Sequence, residues 1–335
     1  MDSLTQITLG AAIGEAVLGK KVGNKALFWG AVAGTIPDLD VLTKYFVEPI
    51  RAIELHRGFS HSIIFCILFA PIFGYLVQKL HPKSKATWQD WSKLFFWALV
   101  THPILDSFTT WGTQLFWPHE LRIAFKTIFV VDPLYTLPYL ILLPMVMRLN
   151  KLNDKRRLYN HWALGLSSLY MLIAIGLKLY TFNIFKESLN HQNIQYSEIE
   201  TKPSPFNVIL WTANVKTEKS IHIGYYSILD LDKNITFFEF NKNEHLLGNM
   251  VNEPIVNRLK KISKEWYTIN RENNTLYFND LRFGQLGIDE QNSKFAFSYA
   301  LRYNDKGVLM AIENKKRPDQ ISPLLTQLWE RIKGI

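Results

Sequence analysis

Long apolar runs are the feature that most limits how this chain can fold. A run of about 20 residues is long enough for a helix to cross a bilayer. Four runs approach or reach that length, at residues 61–80, 94–112, 128–147 and 162–180. Two shorter segments rich in glycine and alanine, residues 4–18 and 26–36, predict a helical hairpin packed closely among the longer helices.

Charge is distributed unevenly along the chain. Residues 1–180 carry 18 Lys and Arg against 11 Asp and Glu, whereas residues 181–335 carry 20 against 18 and have no run long enough to cross a bilayer. The basic excess lies in short loops between apolar runs, which is the pattern that orients a membrane protein. We therefore expect no nucleic-acid partner. Cys66 is the only cysteine, which excludes an intrachain disulfide and a CxxC zinc site.

The basic loops also predict a topology. Residues 19–25, 79–93 and 148–157 are rich in Lys and Arg, and alternating spans place all three on the cytoplasmic side. We expect residues 1–182 to form a membrane-embedded helical domain, with residues 183–335 as a soluble domain on the other side.

The C-terminal half predicts a β-rich domain of the α+β class. Segments rich in β-branched and aromatic residues alternate with turn signals at 206–215, 221–229, 234–240, 275–283, 295–303 and 307–313. Residues 250–263 and 322–333 predict amphipathic helices. The expected fold is therefore an α-helical polytopic membrane domain followed by a soluble β-rich domain.

Polar residues whose burial in a membrane costs free energy lie at the predicted non-cytoplasmic ends of the apolar runs. They lie in three blocks, Pro-Asp-Leu-Asp at 37–40, His-Arg-Gly-Phe-Ser-His-Ser at 56–62 and Thr-His-Pro-Ile-Leu-Asp at 101–106. His102 and Asp106 are four residues apart, so a helix presents both on one face. Together the blocks hold three histidines and three aspartates.

These side chains predict a metal site, because neutral imidazoles and carboxylates suit zinc, manganese or iron. A divalent cation, first Zn²⁺ and second Mn²⁺, would also offset the carboxylates gathered near a membrane. The candidate ligands are Asp40, His56, His61, His102 and Asp106. Asp38 is the candidate for a further ligand or general base. Arg57 is the candidate anion clamp, with pairing to an interfacial lipid as the alternative.

A simpler explanation is that these residues only cap turns and helices at the interface. Asp38 would close a turn, and His61 and Ser62 would cap the helix of residues 61–80. This explanation accounts well for Ser62 and poorly for His102, which lies inside an apolar run. The sequence contains no HExxH, GxSxG or Walker A motif, which argues against a zincin-type protease, a GxSxG hydrolase and a P-loop nucleotidase.

The three blocks, in this order, resemble the signature blocks of the YdjM-like family of bacterial inner-membrane proteins, described as predicted metal-dependent hydrolases. The resemblance covers about residues 1–150 and implies a location in the bacterial inner membrane. Members of that family usually carry a Thr-His pair near the N-terminus, where this chain has Thr5-Gln6. This difference implies one ligand fewer, one metal in place of two, or a site without catalytic activity.

Two classes of function follow. The first is a membrane-embedded metal-dependent hydrolase acting at the outer leaflet on a lipid-like or (phospho)ester substrate, with Ser60, Ser62 and Gln6 supporting the ligands. The second is a non-catalytic membrane scaffold or sensor with a structural metal. Transport is a weaker hypothesis, because the polar residues cluster on one side with no path across. Membrane lipids are the expected partners.

Overall fold

The computed structural model describes residues 1–288, 294–314 and 321–335, which form two compact units. The helical unit is Met1–Gly176 with Pro205–Asn207, and the β-rich unit is Leu177–Ser204 with Val208–Ile335. The predicted combination of a helical N-terminal region and a C-terminal α+β region is confirmed. The boundary predicted after residue 182 lies inside a long helix that runs through both units.

The part of the described chain up to His191 contains seven α-helices and two short 3-10 helices. The 3-10 helices are Pro37–Tyr45 and Phe59–His61. The α-helices are α1 Ser3–Val22, α2 Asn24–Thr35, α3 Pro49–Leu55, α4 Ile63–Leu80, α5 Trp88–Ser107, α6 Pro133–Arg148 and α7 Asp154–His191.

Short polar side chains start four of these helices. The side chains of Asp2, Ser62, Thr87 and Asp132 each accept a hydrogen bond from the backbone N–H three residues later. Such caps satisfy donors that a helix start leaves without a partner. The capping explanation is therefore confirmed for Ser62.

Glycines bring α1 and α2 into close contact. A Cβ atom on Gly10 would stand 2.4 Å from the carbonyl oxygen of Gly30, and one on Gly14 would stand 2.2 Å from that of Ala26. Any larger residue at these positions would push the helices apart. The predicted small-residue hairpin is confirmed, and it holds the end of α2 at a fixed place beside α5.

Two helices of the described chain, α4 and α7, are long and apolar enough to cross a membrane. The predicted spans at 94–112 and 128–147 correspond to α5, which carries His102 and Asp106, and to α6, which has 16 residues. The multi-pass arrangement therefore stays a prediction.

Two antiparallel four-stranded sheets form the β-rich unit, each with its strands in sequence order. The first sheet contains β1 Glu198–Pro203, β2 Leu210–Lys216, β3 Ser220–Ser227 and β4 Phe237–Asn241. The second contains β5 Tyr267–Glu272, β6 Thr275–Gln285, β7 Phe295–Tyr303 and β8 Leu309–Glu313. A 3-10 helix at Glu244–Asn252 and α8 Pro254–Ser263 connect the sheets, and α9 Ile321–Ile332 follows.

Side chains from both sheets share one apolar core. Ile221 and Ile223 of β3 pack with Leu281 of β6, Phe295 of β7 and the fully buried Trp266. Burial of this large apolar surface accounts for the association of the two sheets.

Candidate metal centre

The three polar blocks meet in the helical unit. The 3-10 helix Pro37–Tyr45 supplies Asp38, and the 3-10 helix Phe59–His61 supplies His61. One turn of α5 supplies His102 and Asp106. One ligand atom from each of these four residues lies within 4.8 Å of the others.

The spacing of the four atoms fits a metal ion. His61 Nε2 is 3.2 Å from His102 Nε2 and 3.4 Å from Asp38 Oδ1 and from Asp106 Oδ2. His102 Nε2 is 3.4 Å from Asp38 Oδ1 and 3.7 Å from Asp106 Oδ2. Donors about 2.0–2.1 Å from a tetrahedral zinc ion would stand about 3.3 Å apart. The ligand atoms are therefore already near the separations that such an ion requires.

Hydrogen bonds on the far side of each imidazole fix which nitrogen faces the centre. His102 Nδ1 lies 2.7 Å from the carbonyl oxygen of Gly34, which can only accept, so Nδ1 carries the hydrogen. His61 Nδ1 lies 3.2 Å from Asp40 Oδ2 and 3.0 Å from Ser60 Oγ. In the neutral imidazoles both Nε2 lone pairs then point at one spot, as in histidines that bind metals.

A metal ion at that spot would supply the partner that one oxygen of Asp106 lacks in the described part of the chain. Asp106 is fully buried, and its Oδ2 has no hydrogen-bond partner among the described residues. Two imidazole lone pairs and two carboxylate oxygens at these distances repel one another without a positive charge between them. This residue set therefore fits a divalent metal ion, and its nitrogen and oxygen donors suit zinc, manganese or iron.

Comparisons with known proteins identify a family for the part of the chain that contains these donors. The model of the YdjM inner membrane protein family matches residues 1–183, which include all four donors. The chain belongs to the YdjM inner membrane protein family. The resemblance inferred from the three blocks is thereby confirmed, and so is an inner-membrane location.

Two known proteins are similar to this chain over part of their length. It is 29% identical to the uncharacterized protein YfhP of Bacillus subtilis (strain 168) over 151 residues, which cover 42% of this chain and 44% of that protein. It is 28% identical to the inner membrane protein YbcI of Escherichia coli (strain K12) over 114 residues, which cover 34% of this chain and 64% of that protein. The chain thus spans about half the length of these relatives, and no solved structure matches it.

Asp40 and His56, both predicted as ligands, lie beside the four donors. Asp40 accepts hydrogen bonds from the backbone N–H of Arg57 at 2.9 Å and from Ser60 Oγ at 3.1 Å. The Nδ1 atom of His56 is 2.8 Å from Oδ1 of Asp40. Burial raises the pKa of Asp40, but hydrogen bonds from His56 and His61 outweigh burial and hold that pKa below its usual range. Asp40 is therefore a carboxylate that orients His61.

Arg57 points inward, with its side chain buried. Its Nε is 3.0 Å from Asp106 Oδ2, and its Nη1 donates to Thr109 Oγ1 at 2.8 Å. Its backbone is left-handed, with φ of 58°, a conformation that costs a non-glycine residue free energy and often marks functional sites. Arg57 thus balances the charge of Asp106, whereas the sequence predicted a clamp for a substrate anion.

Gln6 and Ser62, both predicted to support the site, have different positions. Gln6 Nε2 donates to Asp106 Oδ1 at 3.0 Å and to the carbonyl oxygen of His102 at 3.3 Å. The amino group of Met1 contacts the same Asp106 oxygen. Ser62 Oγ donates to the carbonyl oxygen of Phe59 at 2.7 Å and caps α4, so its contacts are structural.

Sequence reasoning missed three supporting groups, the first of which is the amino group of Met1 beside Asp106. The carbonyl of Gly34 is backbone, which no residue pattern identifies as a ligand to His102. Thr109 lies just after the end of α5, where its hydroxyl donates to the carbonyl oxygen of Asp106 at 2.8 Å. Its position three residues after Asp106 was available as a signal.

Access to the four donors is from one side. The side chains of His61, His102 and Asp106 are fully buried, whereas that of Asp38 is 23% exposed. Water or a substrate would therefore approach along Asp38.

Proposed function

We propose that this protein is a membrane-embedded metal-dependent hydrolase. The observation that carries the proposal is the group of four facing donor atoms, in which the two imidazole nitrogens lie 3.2 Å from each other and 3.4–3.7 Å from the carboxylate oxygens. One of these oxygens, Asp106 Oδ2, is buried without a hydrogen bond among the described residues. A metal ion held here would lower the pKa of a bound water and polarise a carbonyl or phosphoryl oxygen of a substrate. Zinc is our first choice of metal and manganese the second.

Each residue near the centre has a role in this proposal. His61, His102 and Asp106, the buried donors, hold the ion. Asp38 lies at the exposed edge, where its carboxylate either completes the ligand set or accepts a proton from the attacking water. Arg57 offsets the charge of Asp106.

The substrate class follows from the proposed location. Exposed apolar side chains line α6, with Leu134, Leu137 and Ile141 each at least 46% exposed. We infer that α5 and α6 also lie in the bilayer, with the basic loops in the cytoplasm and the β-rich unit outside. A site on the outer side suits a lipid-like or amphipathic ester, including a phosphoester.

Elemental analysis of the purified full-length protein tests the metal site. We expect about one metal ion per chain in the wild type and a background level in the double variant His61→Ala/His102→Ala. The matched control is His191→Ala/His245→Ala, because both of these side chains are exposed and lie away from the centre. Equal metal content in all three proteins would reject the site.

Hydrolysis is tested separately with chromogenic carboxylic and phosphoric esters carrying acyl chains. Turnover should depend on the bound metal. Asp38→Asn should abolish turnover while the three buried donors retain metal. Turnover that survives chelation would contradict a metal-dependent reaction.

A second candidate function, a non-catalytic scaffold or sensor, is favoured by Gln6. Its position beside Asp106 is where the family resemblance implies a histidine, and four protein donors are enough to close a structural site. X-ray absorption spectroscopy of the metal-loaded protein separates the two proposals. A closed set of four protein ligands supports the structural metal, and an additional water oxygen supports the hydrolase.

A further inference from the structure

A second polar feature of the helical unit is a basic cavity far from the metal centre. Its volume is about 360 Å³, and it lies between the end of α1 and the start of α7. Gln6 of α1 contacts Asp106, whereas Lys20 of the same helix lines the cavity. A helix rises 1.5 Å per residue, so these two positions are about 20 Å apart, most of the thickness of a bilayer core.

The charges around this basic cavity are mainly positive. Five cationic side chains line it, against the acidic Glu15 and Asp154; the cations are Lys20, Lys21, Lys151, Arg156 and Arg157. Arg156 is buried and binds Glu15 through Nε at 2.7 Å and Nη2 at 2.6 Å. That pair neutralises itself, so the net positive charge of the cavity comes from the other four cations, against the single carboxylate of Asp154.

Two of those cations are available to a ligand. Lys21 Nζ binds Asp90 at 2.7 Å, and Lys151 Nζ donates to the carbonyl oxygen of Lys21 at 2.9 Å. The side chains of Lys20 and Arg157 are exposed and make no hydrogen bond or ion pair with any residue that the structure describes. A guanidinium and an ammonium group without partners are the groups that bind phosphate oxygens.

The cavity also offers a buried acceptor. Asn160 lines it and is 1% exposed, and its Nδ2 donates to the carbonyl oxygen of Ala12 at 3.0 Å. Its Oδ1 has no partner among the described residues. A buried acceptor left in this state indicates a place for a donor from a ligand or an ordered water.

Apolar side chains at the rim indicate an amphipathic ligand. Leu152 is 79% exposed and Val17 is 36% exposed, and both line the cavity. The cavity is also lined by residues at the start of α7, a helix long and apolar enough to cross the membrane. A soluble phosphate compound would gain nothing from these side chains, whereas the first carbons of an acyl chain would cover them.

We propose that this basic cavity binds the phosphate headgroup of an anionic phospholipid in the inner membrane. Lys20 and Arg157 hold the phosphate, Asn160 accepts a hydrogen bond from a headgroup hydroxyl, and Leu152 and Val17 contact the acyl chains. Basic pockets on the cytoplasmic side of membrane helices bind anionic headgroups in this way. The proposal does not depend on the metal centre or on hydrolysis.

Native mass spectrometry of the full-length protein in detergent tests it with phosphatidylglycerol as the probe. We expect the wild type to retain one phosphatidylglycerol and to bind phosphatidylcholine at least tenfold more weakly. The double variant Lys20→Gln/Arg157→Gln should raise the dissociation constant for phosphatidylglycerol about 30-fold, from the contribution of two basic residues near an anionic surface.

The matched control is Lys83→Gln/Lys85→Gln, which removes two exposed charges from the loop before α5. We expect it to bind phosphatidylglycerol as the wild type does, and both variants to retain their metal. A similar loss in both double variants would show a general surface attraction and overturn the site. Release of the lipid by millimolar inorganic phosphate would assign the cavity to a soluble anion and overturn the lipid.

Discussion

Both units bury an arginine–aspartate pair, and the two pairs are satisfied to very different degrees. In the β-rich unit, Arg282 Nε lies 3.0 and 3.1 Å from the two carboxylate oxygens of Asp280, and Nη2 lies 2.6 Å from one of them. In the helical unit, Arg57 Nε is 3.0 Å from Asp106 Oδ2, yet neither atom makes an aligned hydrogen bond. All four side chains are at least 94% buried.

The two pairs are equally buried, but only one of them has its hydrogen bonds complete. This difference distinguishes a structural ion pair from a binding site. The pair of Asp280 and Arg282 completes itself and contributes to a single well-defined fold. Asp106 instead leaves an oxygen facing His61 and His102. A buried group without its partner costs about 1–3 kcal/mol, and more when it is charged. A fold carries that cost where a ligand later provides the missing interaction.

Metal removal should have the largest effect and should be confined to the helical unit. A metal present at a thousandfold excess over its dissociation constant stabilises its unit by about 4 kcal/mol. Chelation should therefore raise hydrogen exchange in peptides that contain Asp38, His61 and His102. Peptides from β6, which carries Asp280, should exchange at an unchanged rate. Uniform change across both units would remove the distinction between the two pairs.

Replacing each aspartate by asparagine should affect stability in one pair and metal binding in the other. Asp280→Asn breaks a completed buried pair and should lower the free energy of unfolding by about 3 kcal/mol, with metal content unchanged. Asp106→Asn should reduce the metal to background and destabilise the metal-free protein less than Asp280→Asn does, because it also relieves repulsion from Asp38. Chemical denaturation in detergent and elemental analysis measure both. The opposite ranking in metal-free protein would contradict this comparison.

Asp40→Asn should weaken metal binding without removing it. The variant loses the carboxylate that orients His61, and losses of this kind reduce metal affinity about 10–100-fold. Competition with a chromogenic chelator measures the affinity. Asp305→Asn, an exposed position in the β-rich unit, is the control and should match the wild type. Complete loss of metal in Asp40→Asn would instead make Asp40 a ligand.

Substitution of Ser60 or Ser62 should give the smallest effects, one on metal affinity and the other on stability. Ser60→Ala removes a hydroxyl that contacts His61 and Asp40 and should weaken metal binding about fivefold, the equivalent of about 1 kcal/mol. Ser62→Ala removes the cap of α4 and should lower stability by about 1 kcal/mol with metal affinity unchanged. Calorimetric melting and metal titration of both variants check this. Identical behaviour would place both serines in one role.

Much of the helical unit could be predicted because its patterns are local. Glycine and alanine spacing predicted the hairpin of α1 and α2, and Ser62 at the start of an apolar run predicted a helix cap. The β-rich unit was predicted less completely. β1 and β5 were not identified, because Glu198–Pro203 and Tyr267–Glu272 are largely polar and owe their strand structure to neighbours across the sheet.

The candidate site could be predicted as a group of residues but not as a set of contacts. The sequence predicted Asp40 as a metal ligand and Asp38 as a further ligand or general base. The structure places both in a 3-10 helix, where three residues make a turn and residues two apart point about 120° apart. Asp38 therefore joins the four donors, while Asp40 contacts the far side of His61. That choice depends on backbone geometry, which the residue pattern does not contain.

The glycine contact between α1 and α2 has a consequence for how the surface of this protein can vary. The carbonyl of Gly34 that orients His102 belongs to a helix whose distance from α1 is set by backbone against backbone. A Cβ atom on Gly34 itself would stand 2.5 Å from the carbonyl oxygen of Gln6. Side chains facing outward, such as Phe28, do not enter this spacing. Residues on the outer surface can therefore differ, as membranes of different composition would require, without moving the carbonyl group that orients the imidazole of His102.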